Sequence, residues 1–212
     1  MPDEEGMALH DAGLAAGHGH VGPLLEIGTY CGKSAIYLGA AARETGERLF
    51  SVDHHRGSLE LQPGWPYHDP EVLDPVTGLI DTLPWARRSV VQADLEGHVV
   101  LVVGESTVVA AAWQAPLSLL FIDGGHGRDV CWADYTAWAG KLAPGGVLAI
   151  HDVFSDPAQG GQAPYEVYQA ALSTGRFVEL PGVGSLRILR ARPGFFPVPP
   201  GGLLTEASKS DF

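Results

Sequence analysis

Two pairs of residues carry the side chains best suited to proton transfer or metal binding. Asp123 and His126 follow one apolar run, and His151 and Asp152 follow another. Carboxylates are the ligands that hard divalent ions such as Mg²⁺ prefer, whereas an imidazole suits manganese, iron or zinc better. A histidine that titrates near neutrality can also accept a proton from an alcohol. These residue types could therefore hold one metal ion, move a proton, or do both.

A second set of residues is suited to binding a nucleotide. Gly28 and Gly32 enclose a turn that joins a short apolar run to a helix-like segment, and Asp53 closes the next apolar run. Glycines permit a sharp turn and a close approach of the backbone to a ligand, and the acid can accept hydrogen bonds from ribose hydroxyls. Glu26 would repel a pyrophosphate but would favour a cationic amino-acid group. The glycine spacing also differs from that of dinucleotide-binding and P-loop motifs.

These residues require a sheet whose strands end at a common edge. Apolar runs alternate with helix-like segments, which predicts an α/β fold with a mainly parallel, doubly wound sheet and a ligand at the carboxyl ends of its strands. Polar or glycine-rich residues follow each of the first five predicted strands, and this edge is the predicted active face. The predicted strands are residues 24–28, 49–53, 99–103, 117–122, 147–150, 177–180 and 185–191, and the predicted helices are residues 34–43, 83–95, 107–113, 130–142 and 165–173.

The whole chain, residues 1–212, is assigned to a single domain. Residues 1–21 are expected to form a helix outside the sheet, residues 143–146 a turn before the fifth strand, and residues 193–212 an extended, proline-rich tail. Residues 54–82 contain too many glycines and prolines for a simple connection, which favours a lid or a binding loop. The residues of this loop predicted to contact substrate are His54, His55, Arg56, Trp65 and His68; a dimer contact is the alternative for its aromatic side chains.

The composition of the chain limits its possible binding partners and its expected location. The 212 residues include 13 lysines and arginines against 25 acidic residues, which gives a net charge of −12. Such a surface disfavours nucleic acid, and no apolar run is long enough to cross a membrane. The amino terminus lacks a signal-peptide pattern, so the cytoplasm is the expected location. Cys31 and Cys131 are too few for a disulfide framework or a zinc site.

Several of these motifs, taken in order, resemble class I S-adenosylmethionine-dependent methyltransferases. The resemblance rests on Glu26–Ile27–Gly28 with Gly32, on Asp53, on Gly104–Glu105–Ser106 and on the segment from Phe121 to His126, and it covers roughly residues 20–192. It implies a Rossmann-like sheet of the methyltransferase type with a C-terminal antiparallel hairpin. It also implies S-adenosylmethionine as cofactor. The residues expected to bind it are Glu26, Gly28, Tyr30, Gly32 and Ser34 at the methionine, Asp53 at the ribose, Gly104, Glu105 and Ser106 near the adenine, and Asp123.

The resemblance further implies methylation of a hydroxyl group. Relatives that methylate catechols, antibiotic sugars and other natural products often bind Mg²⁺ at this position, so Asp123, His151 and Asp152 are the predicted metal ligands. The residue at position 151 is usually an acid or an amide in such relatives, which leaves open whether His151 is a ligand. In similar sugar O-methyltransferases the histidine corresponding to His126 is the general base. The stretch from His54 to Ser58 resembles mycobacterial enzymes that methylate the 1-hydroxyl of 3-O-methylated mannosides. The expected partner is a small hydroxylated substrate, and a homodimer is compatible with the aromatic loop.

Other interpretations remain open at this stage. Asp123 and Asp152 can be solvated residues at strand ends without a metal, and His126 can simply hydrogen-bond its own loop. One alternative with the same fold is an N-methyltransferase that needs no metal, and its activity would survive treatment with a chelator. A non-catalytic nucleotide-binding protein is a further alternative, which the intact set of Glu26, Asp53, Asp123 and His126 disfavours. A nicotinamide-dependent reductase is another, which the glycine spacing disfavours.

Overall fold

The computed structural model describes residues 1–65 and 67–194, so most of the predicted proline-rich tail lies outside the described residues. Within them, no helix has the length and apolar character needed to cross a membrane. The helices are α1 (Asp3–Gly17), α2 (Lys33–Thr45), α3 (Leu83–Gln92), α4 (Ser106–Ala112), α5 (Arg128–Trp138) and α6 (Ala163–Ser173), and the strands are β1 (Leu24–Ile27), β2 (Leu49–Asp53), β3 (Val99–Val103), β4 (Leu117–Ile122), β5 (Leu142–Ile150), β6 (Phe177–Val183) and β7 (Leu186–Ala191).

The seven strands form one sheet in the order β3-β2-β1-β4-β5-β7-β6. Strands β1 to β5 run parallel to one another, while β7 runs antiparallel to both β5 and β6. The predicted mainly parallel sheet with an antiparallel C-terminal pair is therefore confirmed. The strand order reverses between β1 and β4, which is where ligands bind in open sheets of this kind.

Both faces of the sheet are covered, because successive side chains of a strand point to opposite faces. Leu25 and Leu120 belong to the core on the side of α5 and α6, whereas Leu24, Leu119 and Phe121 belong to the core on the side of α1 and α2. All five side chains are fully buried. This continuous apolar content of the central strands holds their carboxyl ends at one edge.

Strand β5 differs from its prediction. Leu117 pairs with Leu142 and Leu119 pairs with Val147, so residues 143–146 form a bulge within the strand rather than a turn before it. A Cβ atom at Gly146 would lie 2.9–3.1 Å from three carbonyl oxygens, and only glycine fits so close to the neighbouring backbone.

Helix α1 packs closely on α2 through glycines. A Cβ atom at Gly13 would lie 2.9 Å from the Cβ of Ala41, and Gly17 packs against Thr45 in the same way. Leu9 anchors the helix in the core below and is fully buried. The amino-terminal segment thus forms part of the layer covering the sheet, and its first turn lies near the edge where the strands end.

Residues 54–82 are folded against this same edge. They contain the one-turn 3₁₀ helices Leu59–Leu61 and Pro70–Val72 and a bridge between Leu73 and Ile80. The side chain of Ile80 is buried and fixes the loop to the body of the domain. The carboxyl ends of the central strands are therefore covered from one side by this loop.

Candidate functional site

A cavity of about 760 Å³ opens at the carboxyl ends of the strands. Its wall includes side chains or backbone that follow β1, β2, β3, β4 and β5, as the sequence predicted for this edge. The polar residues and glycines on the wall at these strand ends include Gly28, Asp53, Gly104, Glu105, Asp123 and Asp152. The cavity is therefore shared by the two sets of residues that the sequence singled out.

The glycine turn after β1 brings the backbone to the cavity wall. Gly28 has a φ of +95°, and a Cβ atom there would collide with the carbonyl oxygen of Asp123. Tyr30 donates its backbone N–H to Oδ2 of Asp53 at 2.8 Å, and His55 donates its backbone N–H to Oδ1 at 2.7 Å. Both oxygens of Asp53 are thereby fixed at the wall. Gly32 is the left-handed N-cap of α2 and completes the turn.

Glu26 lies beneath this turn instead of on the cavity wall. Its side chain is fully buried, Oε1 accepts a hydrogen bond from Ser51, and Oε2 has no hydrogen-bond partner in the described structure. Burial raises the pKa of Glu26 to about 7, with the nearby Asp123 and Asp53 adding to the effect. A buried carboxyl group with one unpartnered oxygen would gain from a nearby cation.

The opposite end of the cavity is formed by the residues after β3. Gly104, Glu105 and Ser106 line the wall, as does Ser34 near the first turn. Trp138 donates from Nε1 to Oγ of Ser106 at 2.8 Å and fixes the start of α4.

Asp134 is a wall residue that the sequence reasoning missed. It lies on α5 beside Ser106, is only 4% exposed, and burial raises its pKa to about 6. Cys131 and Trp138, on the same face of the helix, are also buried. An acid on the inward face of an amphipathic helix is the sequence signal that could have identified it.

Asp123, His126 and Asp152 converge at one part of the wall, with one potential ligand atom from each within 4.8 Å of the others. Nε2 of His126 lies 3.0 Å from Oδ2 of Asp152 without the alignment of a hydrogen bond, and Nδ1 lies 3.3 Å from Oε1 of Glu60. The Asp152 carboxylate raises the pKa of His126 and outweighs the opposing effect of burial. Asp152 has a φ of +54°, a conformation uncommon for a residue other than glycine, asparagine or aspartate and one that fixes its side chain here.

Both ring nitrogens of His151 lie against carboxylates of other residues. Its Nδ1 lies 3.1 Å from Oδ1 of Asp123 and 3.3 Å from Oδ1 of Asp152, while Nε2 lies 2.7 Å from Oε2 of Glu5. Burial alone would lower the pKa of His151, but Asp123 and Asp152 outweigh it and raise the pKa to about 10. The three residues whose potential ligand atoms converge are Asp123, His126 and Asp152, so the predicted ligand role of His151 does not fit this arrangement. His126 takes its place beside the two aspartates.

The predicted substrate residues of the loop lie in different environments. His54 is on the cavity wall, whereas the other four are outside it. His55 is buried with Nδ1 2.8 Å from Oγ1 of Thr82, and Arg56 donates to the carbonyl oxygen of Ile80. The remaining two predicted residues do not reach the wall either: His68 bonds the backbone of Leu61, and Trp65 is half exposed.

Other residues of the loop reach the cavity: Gly57, Ser58, Glu60, Leu61, Tyr67 and Thr82. Composition marked this segment as functional, but it could not say which side chains turn inward.

The region around His126 is completed by the segment after β5. Phe154, Gln159 and Gly160 line it, and Gly160 packs against the ring of Phe154. Lys33 is the one lysine or arginine on the described wall, and its ammonium group pairs with Asp3 at 2.9 Å. This part of the cavity therefore combines carboxylates, uncharged polar groups and aromatic rings.

The chain is similar to known proteins both by family model and by solved structure. The family model described as a methyltransferase domain matches residues 25–153. Among solved structures, the O-methyltransferase NovP has 17% identity and a TM-score of 0.65, with 88% of this chain and 78% of that chain covered.

Two further structures were described with a ligand. An O-methyltransferase from Bacillus cereus, in complex with SAH, has 19% identity and a TM-score of 0.62, with 91% of this chain and 82% of that chain covered. TomG, an O-methyltransferase from Streptomyces achromogenes involved in tomaymycin synthesis, was solved in complex with SAM; it has 17% identity and a TM-score of 0.60, with 91% and 81% covered. At this level of identity the three structures show a shared fold.

Proposed function

Because the chain belongs to the methyltransferase-domain family, we propose that it transfers the methyl group of S-adenosylmethionine to a hydroxyl group of a small acceptor. The observation that carries the proposal is the position of the Asp123–His126–Asp152 cluster on the wall of the same cavity as Asp53 and the glycine turn. Solved structures of similar fold that are named O-methyltransferases, two of them holding SAM or SAH, support both the cofactor and the reaction class.

The cofactor is proposed to lie along the residues that follow β1, β2 and β3. Asp53 is held by two backbone N–H groups, and its carboxylate is available to the ribose hydroxyls. The adenine would lie toward Ser106 and Asp134, and the methionine end toward the Gly28 turn. The cationic amino group of the methionine would then approach buried Glu26, whose unpartnered oxygen favours a positive charge.

His126 is proposed as the general base. Its Nε2 lies 3.0 Å from Oδ2 of Asp152 without the alignment of a hydrogen bond, and we propose that this nitrogen receives the proton of an acceptor hydroxyl. Nε2 would take the proton of the acceptor hydroxyl, whose oxygen would receive the methyl group that S-adenosylmethionine supplies when bound, its sulfur keeping the electron pair of the broken carbon–sulfur bond. Asp152 would stabilise the imidazolium that forms.

A divalent ion is compatible with the residues present. Asp123 and Asp152 offer carboxylate oxygens, and His126 offers an imidazole nitrogen within the same 4.8 Å cluster. When bound, such an ion would lower the pKa of the acceptor hydroxyl and orient its oxygen. His126 cannot be both ligand and base at the same atom, and we propose that the two aspartates hold the ion while His126 keeps Nε2 for the proton.

The acceptor is proposed to be a neutral polyhydroxylated molecule, with a sugar as the leading class. Tyr67 and Phe154 provide aromatic surface on which a sugar ring can stack, and Glu60 and Gln159 provide hydrogen-bonding groups for its hydroxyls. The net charge of −12 disfavours a polyanion. The 1-hydroxyl of a 3-O-methylated mannoside remains the most specific candidate, on the resemblance of residues 54–58.

Calorimetric titration of the protein with S-adenosylmethionine and S-adenosylhomocysteine, with Mg²⁺ and with a chelator, tests the cofactor. We expect micromolar binding that Asp53→Ala weakens and that Asp11→Asn, at an exposed position, leaves unchanged. Methyl transfer to panels of sugars, phenols and amines then tests the acceptor. Transfer to amines alone, insensitive to chelation, would point to a metal-independent N-methyltransferase, and absence of cofactor binding would overturn the proposal.

A further inference from the structure

We propose that Glu5, in the first turn of helix α1, is a positioning residue of the active site. Its carboxylate holds the ring of His151, and through that ring it sets the positions of Asp123 and Asp152. The part of this inference that concerns methyl transfer rests on the proposed function. The contacts on which it depends join the amino-terminal helix to His151 and to the turn between β6 and β7.

Glu5 is an almost fully buried acidic residue. Its side chain is 4% exposed, and each of its oxygens has a defined partner. Oε2 lies 2.7 Å from Nε2 of His151, a residue 146 positions later in the chain. Oε1 accepts hydrogen bonds from the backbone N–H of Ser185 and from its hydroxyl, the latter at 3.0 Å. A buried carboxylate costs free energy unless it is paired in this way.

The turn between β6 and β7 is shaped to receive this carboxylate. Gly184 has a φ of +56°, and a Cβ atom there would collide with Oε1 of Glu5. The carbonyl oxygen of Ser185 accepts a hydrogen bond from the N–H of Val153 at 3.0 Å. The turn that binds Glu5 is thereby joined to the residue directly after Asp152. Glu5 thus contacts the end of β5 from two sides, through the His151 ring and through the Ser185 turn.

The His151 ring transmits this contact to both aspartates. With Nε2 fixed on Glu5, Nδ1 points between Oδ1 of Asp123 and Oδ1 of Asp152, at 3.1 and 3.3 Å. These two carboxylates follow different strands and repel each other, and the imidazole ring lies between them. Losing the bond to Glu5 would allow the ring to rotate, and the spacing of the two aspartates would then be set by their repulsion.

The direct test compares Glu5→Gln with Glu4→Gln, a change at the exposed neighbouring position. A glutamine side chain cannot accept from both His151 and Ser185, because its NH₂ group faces one of the two donors. We expect kcat for methyl transfer to fall about 10–100-fold, the usual effect of losing a partner that orients site residues. The Kd for S-adenosylhomocysteine should stay within about twofold of the wild-type value, because Glu5 does not contact the cofactor residues.

A spectroscopic measurement separates this inference from the proposed function. In protein labelled with ¹⁵N at histidine, the Nε2–H group of His151 that faces Glu5 should be protected from exchange, and Glu5→Gln should remove this protection and shift the signal of His126. This result would support the positioning role even if no methyl acceptor had been found. Ser185→Ala, which removes one donor to Oε1, provides a milder variant with the same expected direction if Glu5→Gln does not fold. Unchanged kcat and unchanged histidine signals in the variants that fold would overturn the inference.

Discussion

His126 and Asp152 follow neighbouring strands of the sheet, and Nε2 of the histidine lies 3.0 Å from Oδ2 of the aspartate. The carboxylate raises the pKa of the imidazole, and it stands where a positive charge would develop if the imidazole accepted a proton. The pair therefore stabilises the charged product of a proton transfer at the cavity wall. This relationship makes His126 the first residue to test.

Replacing His126 by alanine is expected to lower kcat for methyl transfer by about 10²- to 10⁴-fold, the usual contribution of a general base. The Kd for S-adenosylmethionine should not change, because the imidazole faces the acceptor region. Single-turnover kinetics and calorimetry measure the two quantities. The matched control is His18→Ala, at an exposed position on the surface. A loss of metal affinity in His126→Ala, larger than the loss in kcat, would instead identify His126 as a metal ligand.

A divalent ion is expected to bind with Asp123 and Asp152 as ligands. Asp123→Asn and Asp152→Asn should each weaken Mn²⁺ binding at least about 10-fold, because one charged oxygen ligand is lost from a site with few protein ligands. The free Mn²⁺ signal in electron paramagnetic resonance measures this directly. Asp129→Asn, exposed at the start of α5, is the control. Wild-type protein that binds no Mn²⁺ and methylates its acceptor fully in a chelator would show that the aspartates serve without a metal.

Asp53→Asn is expected to weaken binding of S-adenosylmethionine about 10- to 100-fold. The carboxylate accepts from the N–H groups of both Tyr30 and His55, and an amide can replace only one of these acceptors while its NH₂ group faces the other donor. Hydrogen bonds to a charged group contribute about 1.5–3 kcal/mol each, so the loss is large enough to measure by calorimetry. Unchanged affinity would mean that the ribose is bound elsewhere.

The sequence predicted the sheet well because its apolar runs and the glycine turn are local signals. The runs that became β2, β3 and β4 were placed at their observed bounds, since a buried parallel strand reads as a continuous apolar segment. The sequence predicts a turn at Gly145 and Gly146 where the structure has a bulge, because composition does not distinguish a turn before a strand from a bulge within it.

The site was predictable in outline but not in its pairings. Asp123 and His126 stand close together in the chain, so their proximity could be read from spacing. The contact of Glu5 with His151 joins residues 146 positions apart and depends on how α1 packs, which no local pattern specifies. Which side chains of residues 54–82 face the cavity could not be predicted for the same reason, because turn residues indicate a loop but not the orientation of its side chains.

Packing of α1 on α2 is expected to be sensitive to volume at Gly13. A Cβ atom there would lie 2.9 Å from the Cβ of Ala41 and 3.3 Å from Cδ2 of Leu38, so Gly13→Val should lower the free energy of unfolding by about 1–3 kcal/mol. Denaturant titration measures the change. Gly140→Ala is the control, because a Cβ atom at that position would meet nothing within 4 Å. Equal stability of the two variants would show that α1 can shift without cost.

Binding of S-adenosylmethionine is expected to tighten as the pH rises from about 5.5 to 7.5. Burial raises the pKa of Glu26 to about 7 in the free protein, so much of the carboxyl group is neutral at the lower end of this range. A nearby ammonium group of the cofactor favours the carboxylate and lowers this pKa, and each molecule bound below pH 7 must then release a proton. The α-amino group of the cofactor itself stays mostly charged up to about pH 7.7, so it does not reverse the trend.

Calorimetry at several pH values, in buffers with different ionisation enthalpies, measures both the affinity and the number of protons released. In Glu26→Gln the affinity should be lower at pH 7.5 and nearly independent of pH, because no titrating group remains beneath the turn. A wild-type affinity that stays flat across this range, with no proton release, would contradict the placement of the cofactor's amino group near Glu26. Since Oε2 of Glu26 is the buried oxygen without a partner at this turn, the cofactor would then have to leave that oxygen unsatisfied, and its methionine end would have to lie along another part of the wall.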